Sequence, residues 1–287
     1  MITISSLSKN FGQIKALNNI SLSVDEPGLT CFLGENGAGK TTLFKIITGI
    51  LRPSSGSLKI NGIDIQSQPK EALSLIGALV EQPEFYPYLT GKELLEFTGK
   101  IRGLKGRDLE DNVERVTTMM NLGEYLHRKS GTYSRGMKQR LGVAVAMVGD
   151  PMILVLDEPT FGMDPRGIIE MRRILLSMKN GGDKFILMST HLLDEARELS
   201  NRIVILKHGE LKSDLRAPFG KGLLRVVGDI NVPTALNNRL IERGDGYIVI
   251  DAGEDDATLL ISNLIKGGSR IRYVLPYDKL EEHFLRE

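Results

Sequence analysis

The segment Gly34-Glu35-Asn36-Gly37-Ala38-Gly39-Lys40-Thr41-Thr42 constrains this chain more than any other. An apolar run, Leu29-Thr30-Cys31-Phe32-Leu33, precedes it, and a helical pattern, Leu43-Phe44-Lys45-Ile46-Ile47, follows it. The order is strand, glycine-rich loop, helix start, and every fixed position of G-x-x-x-x-G-K-[ST] is filled. The glycines at 34, 37 and 39 let the backbone curl so that successive N–H groups converge on one anion. The new helix adds the positive end of its dipole. Lys40 supplies a mobile point charge for β- and γ-phosphates, and Thr41 offers a hydroxyl to Mg²⁺. Asn36, Ala38 and Thr42 complete the candidate nucleotide-binding set. Such a loop marks nucleoside triphosphate binding and leaves the reaction open.

The rest of the chain narrows the choice. Its 287 residues allow one large domain or two smaller ones. Lys and Arg number 37 against 36 Asp and Glu, a net charge of +1, which offers no electrostatic footprint for nucleic acid. The longest apolar stretches, 142–148 and 152–156, are too short to span a bilayer. Met1-Ile2-Thr3-Ile4-Ser5-Ser6-Leu7 lacks the regions of a signal peptide. The single cysteine, Cys31, has no intrachain partner and is expected to pack in the strand before the loop. The expectation is a cytoplasmic protein that reaches a membrane only through a partner.

Residues 1 to about 27 read as β-rich, from the alternation in Ile2-Thr3-Ile4 and Ile20-Ser21-Leu22-Ser23-Val24. Asn61-Gly62, set between Leu58-Lys59-Ile60 and Ile63-Asp64-Ile65, predicts a hairpin. A buried strand over 76–81 ends at Gln82-Pro83, and a helical region follows over about 84–149. Thr90 and Glu93 form a candidate capping box within it. From 152 to 206 strands and helices alternate, as in a mainly parallel sheet with covering helices. The expected fold class is therefore α/β, a P-loop core with a mainly parallel sheet, an antiparallel β subdomain and a helical subdomain. A linker at 217–222 would divide this domain, 1–216, from a small C-terminal α/β appendage, 223–287. In the appendage, 223–227, 234–242, 247–250, 257–265 and 271–275 predict β-α-β-α-β. A last helix would open with Asp278 and Glu281.

Two more constellations carry chemistry. Ile153-Leu154-Val155-Leu156 ends in Asp157-Glu158-Pro159, so a buried strand delivers two carboxylates at its C-terminal end, where ligands sit in open α/β sheets. Adjacent side chains on a strand diverge, so Asp157 can serve the Mg²⁺ shell while Glu158 faces the attacking water. Tyr133-Ser134-Arg135-Gly136-Met137-Lys138-Gln139-Arg140 marks a helix start, where Ser134 and the free N–H groups make a second candidate anion site.

Together these pieces resemble the nucleotide-binding subunit of an ATP-binding cassette transporter, over residues 1 to about 215. The glycine loop is similar to the family's Walker A, and 153–158 to its Walker B with the catalytic glutamate. Gln82 stands where the family has its Q-loop. Residues 133–137 resemble the signature L-S-G-G-Q. Thr160-Phe161-Gly162-Met163-Asp164 resembles the D-loop, Ser189-Thr190-His191 the H-loop, and Phe11-Gly12 the aromatic loop that stacks on adenine. Tyr133, Arg135 and Met137 depart from the signature, whereas Ser134 and Gly136 keep it. The form Y-S-x-G-M-x-x-R is similar to that of ABC-2-type exporter ATPases. So is the ending Lys279-Leu280-Glu281-Glu282-His283-Phe284-Leu285.

The resemblance implies ATP and Mg²⁺ as cofactors, with Thr41, Gln82 and Asp157 toward the metal. It implies Glu158 as general base, His191 holding the γ-phosphate and water, and Gln82 sensing them. It also implies a second nucleotide-binding subunit, a homodimer in which each ATP lies between the glycine loop of one copy and the signature helix start, with Ser134 and Gly136, of the other; Asp164 of the D-loop is a further nucleotide-binding candidate. The remaining implications are a separate integral membrane permease, a peripheral position on the inner face of the cell membrane, and export. Two alternatives stay open. A soluble cassette ATPase acting on ribosomes or DNA usually carries tandem cassettes, coiled-coil insertions or a basic surface, and none is evident. A small-molecule kinase would leave the signature, D-loop and histidine together unexplained. The transported substrate belongs to the permease and is not legible here.

Overall fold

Three sheets organise residues 2–217, 223–252 and 257–277, the part of the chain that the computed structural model describes. Two compact units result, 1–214 and 215–287.

The first unit opens with β1 (Ile2–Phe11) and β2 (Ile14–Val24), an antiparallel pair. β3 (Gly28–Leu33) enters a second sheet, and α1 (Lys40–Ile47) leaves it. β4 (Ser55–Ile60) and β5 (Ile63–Asp64) return to the first sheet, ordered β2-β1-β4-β5. The expected hairpin forms: Ile60 pairs with Ile63, and φ is 51° at Asn61 and 82° at Gly62, the two positive values a type I′ turn requires. A short helix that the sequence pattern did not announce, α2 (Pro69–Ser74), leads to β6 (Ile76–Leu79). The helical region contains α3 (Gly91–Ile101), α4 (Gly106–Met119) and α5 (Arg135–Met147). Thr90 and Glu93 form both arms of the capping box on α3. The chain then alternates through β7 (Ile153–Asp157), α6 (Pro165–Asn180), β8 (Phe185–Thr190), α7 (Leu193–Leu199), β9 (Arg202–Lys207) and β10 (Glu210–Arg216).

The large sheet is ordered β10-β9-β3-β8-β7-β6, and the pairs from β9 to β6 are parallel. Burial explains the composition of its centre. Every residue of β7 and β8 is buried, so each reads as a nearly continuous apolar run. One core joins a face of this sheet (Phe32, Val155, Leu187, Val204) to α1 (Leu43, Phe44, Ile46, Ile47) and to the antiparallel sheet (Ile2, Ile4, Leu7, Leu58). Phe32 meets Phe44 edge to face at 5.3 Å, an arrangement worth about 0.5–1.5 kcal/mol beyond its buried area. Register then fixes the site. Leu33 pairs with Thr190, and Asp157 with Ser189, so the C-terminal ends of β3, β8 and β7 lie side by side.

The second unit contains β11 (Leu223–Asp229), β12 (Leu240–Gly244), β13 (Tyr247–Asp251), α8 (Ala257–Lys266) and β14 (Arg270–Pro276). Its sheet, β12-β13-β11-β14, is antiparallel at every junction. Leu260 and Leu264 of α8 share a core with Val226, Ile248 and Ile250. The helix expected over 234–242 is replaced by a 3₁₀ turn, Thr234–Arg239, and by β12. Leu236 is its sole buried residue, Asn237 and Asn238 are poor helix formers, and Leu240 to Gly244 gain a ladder on β13. The expected helix from Asp278 onward lies outside the described residues. Among the described residues, no helix is long and apolar enough to cross a membrane.

Candidate active site

The glycine loop follows directly from the end of β3. Gly39 has φ 102°, and a Cβ there would lie 2.6 Å from the Ala16 carbonyl. At Gly34 a Cβ would lie 2.3 Å from the Leu206 carbonyl. Both positions therefore need glycine for close approach of backbone to backbone. Gly39 is the N-cap of α1 and brings no side chain to cap it. The N–H groups of Lys40, Thr41 and Thr42, which have no intrahelical acceptor, thus point out of the helix start as donors. Lys40 is buried, and its Nζ donates to the carbonyls of Gly34 at 2.6 Å and Glu35 at 3.0 Å. Burial lowers its pKa, and Glu158 and Asp157 pull it back up. Its Nζ lies 3.9 Å from Glu158 Oε1.

Beyond β7, the backbone of Glu158 turns left-handed, φ 46°, a strained conformation for a residue with a side chain. Two hydrogen bonds hold it there. Its N–H donates to Ser189 Oγ at 3.0 Å, and its carbonyl accepts from Gln139 Nε2 at 3.2 Å. Ser189 in turn donates to the buried Asp157 carboxylate. Glu158 Oε1 then meets His191 Nδ1 at 3.2 Å. A cation, an acid and an imidazole therefore converge beside a set of open N–H donors. Such a group can bind a polyphosphate and hold a water against it.

Most of the expected site residues line two clefts; Gly34 and His191 line neither, and His191 joins the site through Glu158. One cleft is lined by Thr41, Gln82, Asp157 and Glu158, together with Glu81, Gln139 and Phe161. A second is lined by Asn36, Gly37, Ala38, Gly39, Lys40, Thr41, Thr42 and Glu158, together with Ile14, Lys15, Ala16 and His208. Phe11 lies beside this second cleft, across the hairpin from Ile14. Phe11 is 47% exposed, with Lys9 Nζ 5.1 Å from the centre of its ring, so it retains a surface on which a base can stack.

Ser134, Gly136 and Asp164 line neither cleft. Ser134 is the N-cap of α5, its Oγ accepting from Met137 N–H, and Asp164 caps α6 by accepting from Gly167 N–H at 3.0 Å. The signature departures have local reasons. Tyr133 is buried, and its hydroxyl donates to the Tyr125 carbonyl at 2.7 Å. Arg135 lies over the Phe161 ring at 4.5 Å, joining the start of α5 to the loop after β7.

Three contributors were not singled out from sequence: Gln139, Glu81 and Glu195. Gln139 carried a signal, since it shares the buried stripe of α5 with Gly142, Val143 and Ala146 and is its polar member. Glu81 pairs with Lys45 at 2.5 Å and has φ 67°, which no local pattern announces. Glu195 is a fully buried acid whose partners are Thr160, in the loop after β7, and Thr190, at the end of β8.

Comparison with known proteins bears on this arrangement. The family model described as ABC transporter matches residues 17–161. The ABC transporter ATP-binding protein YdbJ of Bacillus subtilis is 35% identical, over 100% of this chain and 94% of its own length. The bacitracin transport ATP-binding protein BcrA of Bacillus licheniformis is 31% identical, over 94% of this chain and 98% of its own. Among solved structures, the dimeric post-hydrolysis state of the ATP-binding cassette MJ0796, bound to ADP and Pi, superposes with a TM-score of 0.69. It is 25% identical and covers 75% of this chain and 98% of its own.

Proposed function

The chain belongs to the ATP-binding cassette transporter family as an ATP-binding, ATP-hydrolysing protein, and from that premise we propose that it drives export through a separate integral membrane permease. Two copies pair head to tail, and each ATP is enclosed by the glycine loop of one and the α5 start of the other. One observation carries this reading. The register of β3, β8 and β7 gathers the phosphate loop, Glu158 and His191, while Ser134 and Gly136 stand outside both clefts, ready for a second copy.

The geometry supports the following roles. The N–H groups of the loop and Lys40 bind the β- and γ-phosphates. Phe11 stacks on adenine. Glu158 orients the attacking water and takes its proton, and His191, on the same carboxylate oxygen, fixes the direction of that carboxylate. Gln82 shares the cleft with Glu158 and reports its state to the helical region that follows.

Mg²⁺ fits the donor set. Thr41, Gln82 and Asp157 each bring an oxygen to one cleft. Among the described residues, no group of three or more His, Cys, Asp or Glu could cage a metal. Few protein oxygens completed by phosphate oxygens are what Mg²⁺ takes. When bound, the ion neutralises charge on the phosphates.

Export is supported by the form Y-S-R-G-M at 133–137 and by similarity to a protein named for bacitracin transport. The peripheral position at the membrane's inner face follows from the permease. The test is a mild-detergent pull-down of Glu158→Gln protein from its native membranes, read by mass spectrometry. A stoichiometric polytopic membrane protein is the expected companion. Recovery with ribosomes or nucleic acid, and no membrane partner, would overturn the transporter reading.

A further inference from the structure

We infer that Glu195 is a positioning residue that sets the separation of Glu158 and His191, an inference that rests on the hydrolytic roles proposed above for those two side chains. Glu195 lies on α7 and is fully buried. Its Oε1 accepts from Thr160 Oγ1 at 2.8 Å, and its Oε2 accepts from Thr190 Oγ1 at 2.6 Å. Both threonines are buried. Thr160 stands two residues after Glu158, and Thr190 immediately precedes His191. The contact between Glu158 Oε1 and His191 Nδ1 closes a ring that runs through Glu158, Thr160, Glu195, Thr190 and His191.

A buried carboxylate persists when its oxygens are hydrogen-bonded or paired. Here two hydroxyls donate to it, and Arg172 Nε lies 3.7 Å from Oε1. Arg172 is itself held by Glu198 at 3.0 Å, so the cation is anchored from the other side. Thr190 adds a further constraint, because its hydroxyl also accepts the Leu192 N–H at 3.1 Å and so fixes the turn around His191. Glu195 reaches no cleft that the nucleotide residues line. Its influence therefore passes through the loop after β7 and the end of β8, which it ties together. The loop after β7 also contains Phe161, whose ring Arg135 covers, so the same tie extends to the start of α5.

The test compares ATP turnover and nucleotide affinity across variants of the full chain. Glu195→Asp keeps the charge but is one methylene too short to reach both threonines. Glu195→Gln keeps the reach: its carbonyl accepts from one hydroxyl and its amide donates to the other. A displacement of about 1 Å at the reacting groups lowers turnover by about 100-fold. Glu195→Asp should therefore lose on that order in kcat with ATP affinity unchanged, and Glu195→Gln should restore most of it. Wild-type kcat in Glu195→Asp, or equal impairment of both variants, would overturn the inference. If Glu195→Asp fails to fold, Thr160→Val and Thr190→Val each open the ring once. The double variant should then be no slower than the poorer single, and additive losses would contradict a ring. Glu158→Gln run in parallel separates the two ideas. Normal hydrolysis there removes the underlying role of Glu158, whereas an inactive Glu158→Gln beside a normal Glu195→Asp removes only the tie.

Discussion

The two halves of the candidate site use helix starts in opposite ways. α1 begins at Gly39, which has no side chain to offer, so its first N–H groups remain donors for a ligand. α5 and α6 begin at Ser134 and Asp164, whose oxygens cap their own helices. The phosphate loop is thus complete within one chain, and the signature side is stabilised for itself and offers what is left over. For Ser134 that remainder is useful: the oxygen accepts from the helix while the O–H is free to donate to an anion. For Asp164 the remainder is negative charge, which suits a cap and opposes a triphosphate. In the proposed dimer, a loop that works alone and a helix start that works only against another copy would be the two ATP-gated parts.

This contrast predicts a graded set of outcomes. The largest effect belongs to the chemical step. Glu158→Gln should slow turnover by roughly 10²–10⁴-fold while sparing ATP binding, measured as phosphate release beside a nucleotide titration. Near-normal hydrolysis would take Glu158 out of the general-base role. Lys40→Ala acts on the loop half, and it should weaken ATP affinity in a single copy by roughly 10–100-fold, the equivalent of a charged hydrogen bond. Unchanged affinity would separate Lys40 from the phosphates. The smallest effects fall on the capping half. Ser134→Ala and Asp164→Ala should each remove about 1 kcal/mol of stability. For a unit of this size that is a fall of about 2–4 °C in Tm, read by calorimetry, with ATP affinity of the single copy intact. A loss of affinity as large as that of Lys40→Ala would erase the distinction between the halves.

What the sequence made legible was local. The glycine loop, the acids after 153–156, the Asn61-Gly62 hairpin and the Thr90 capping box each lie within a few consecutive residues, where spacing alone encodes geometry. The ties that orient the acids span the fold. Ser189 meets Glu158 across 31 positions and Glu195 meets Thr160 across 35, distances over which one sequence carries no pairing signal. The left-handed backbone of Glu158 was equally hidden, since glutamate has no preference for it. In the second unit, Leu236, Leu240 and Ile241 mimic a helical stripe, yet Leu240 pairs with Ile250 and the segment extends as an edge strand. Local spacing loses there to a ladder partner that the sequence does not display.

The most direct measurement is the mass in solution of Glu158→Gln protein, by light scattering after gel filtration, with ATP and Mg²⁺ and with ADP. A dimer with ATP and a monomer with ADP is the expected result. Adding Ser134→Arg should abolish the dimer while the monomer still binds ATP with unchanged affinity. A dimer that ignores the nucleotide, or one that survives Ser134→Arg, would contradict a site completed by the second copy.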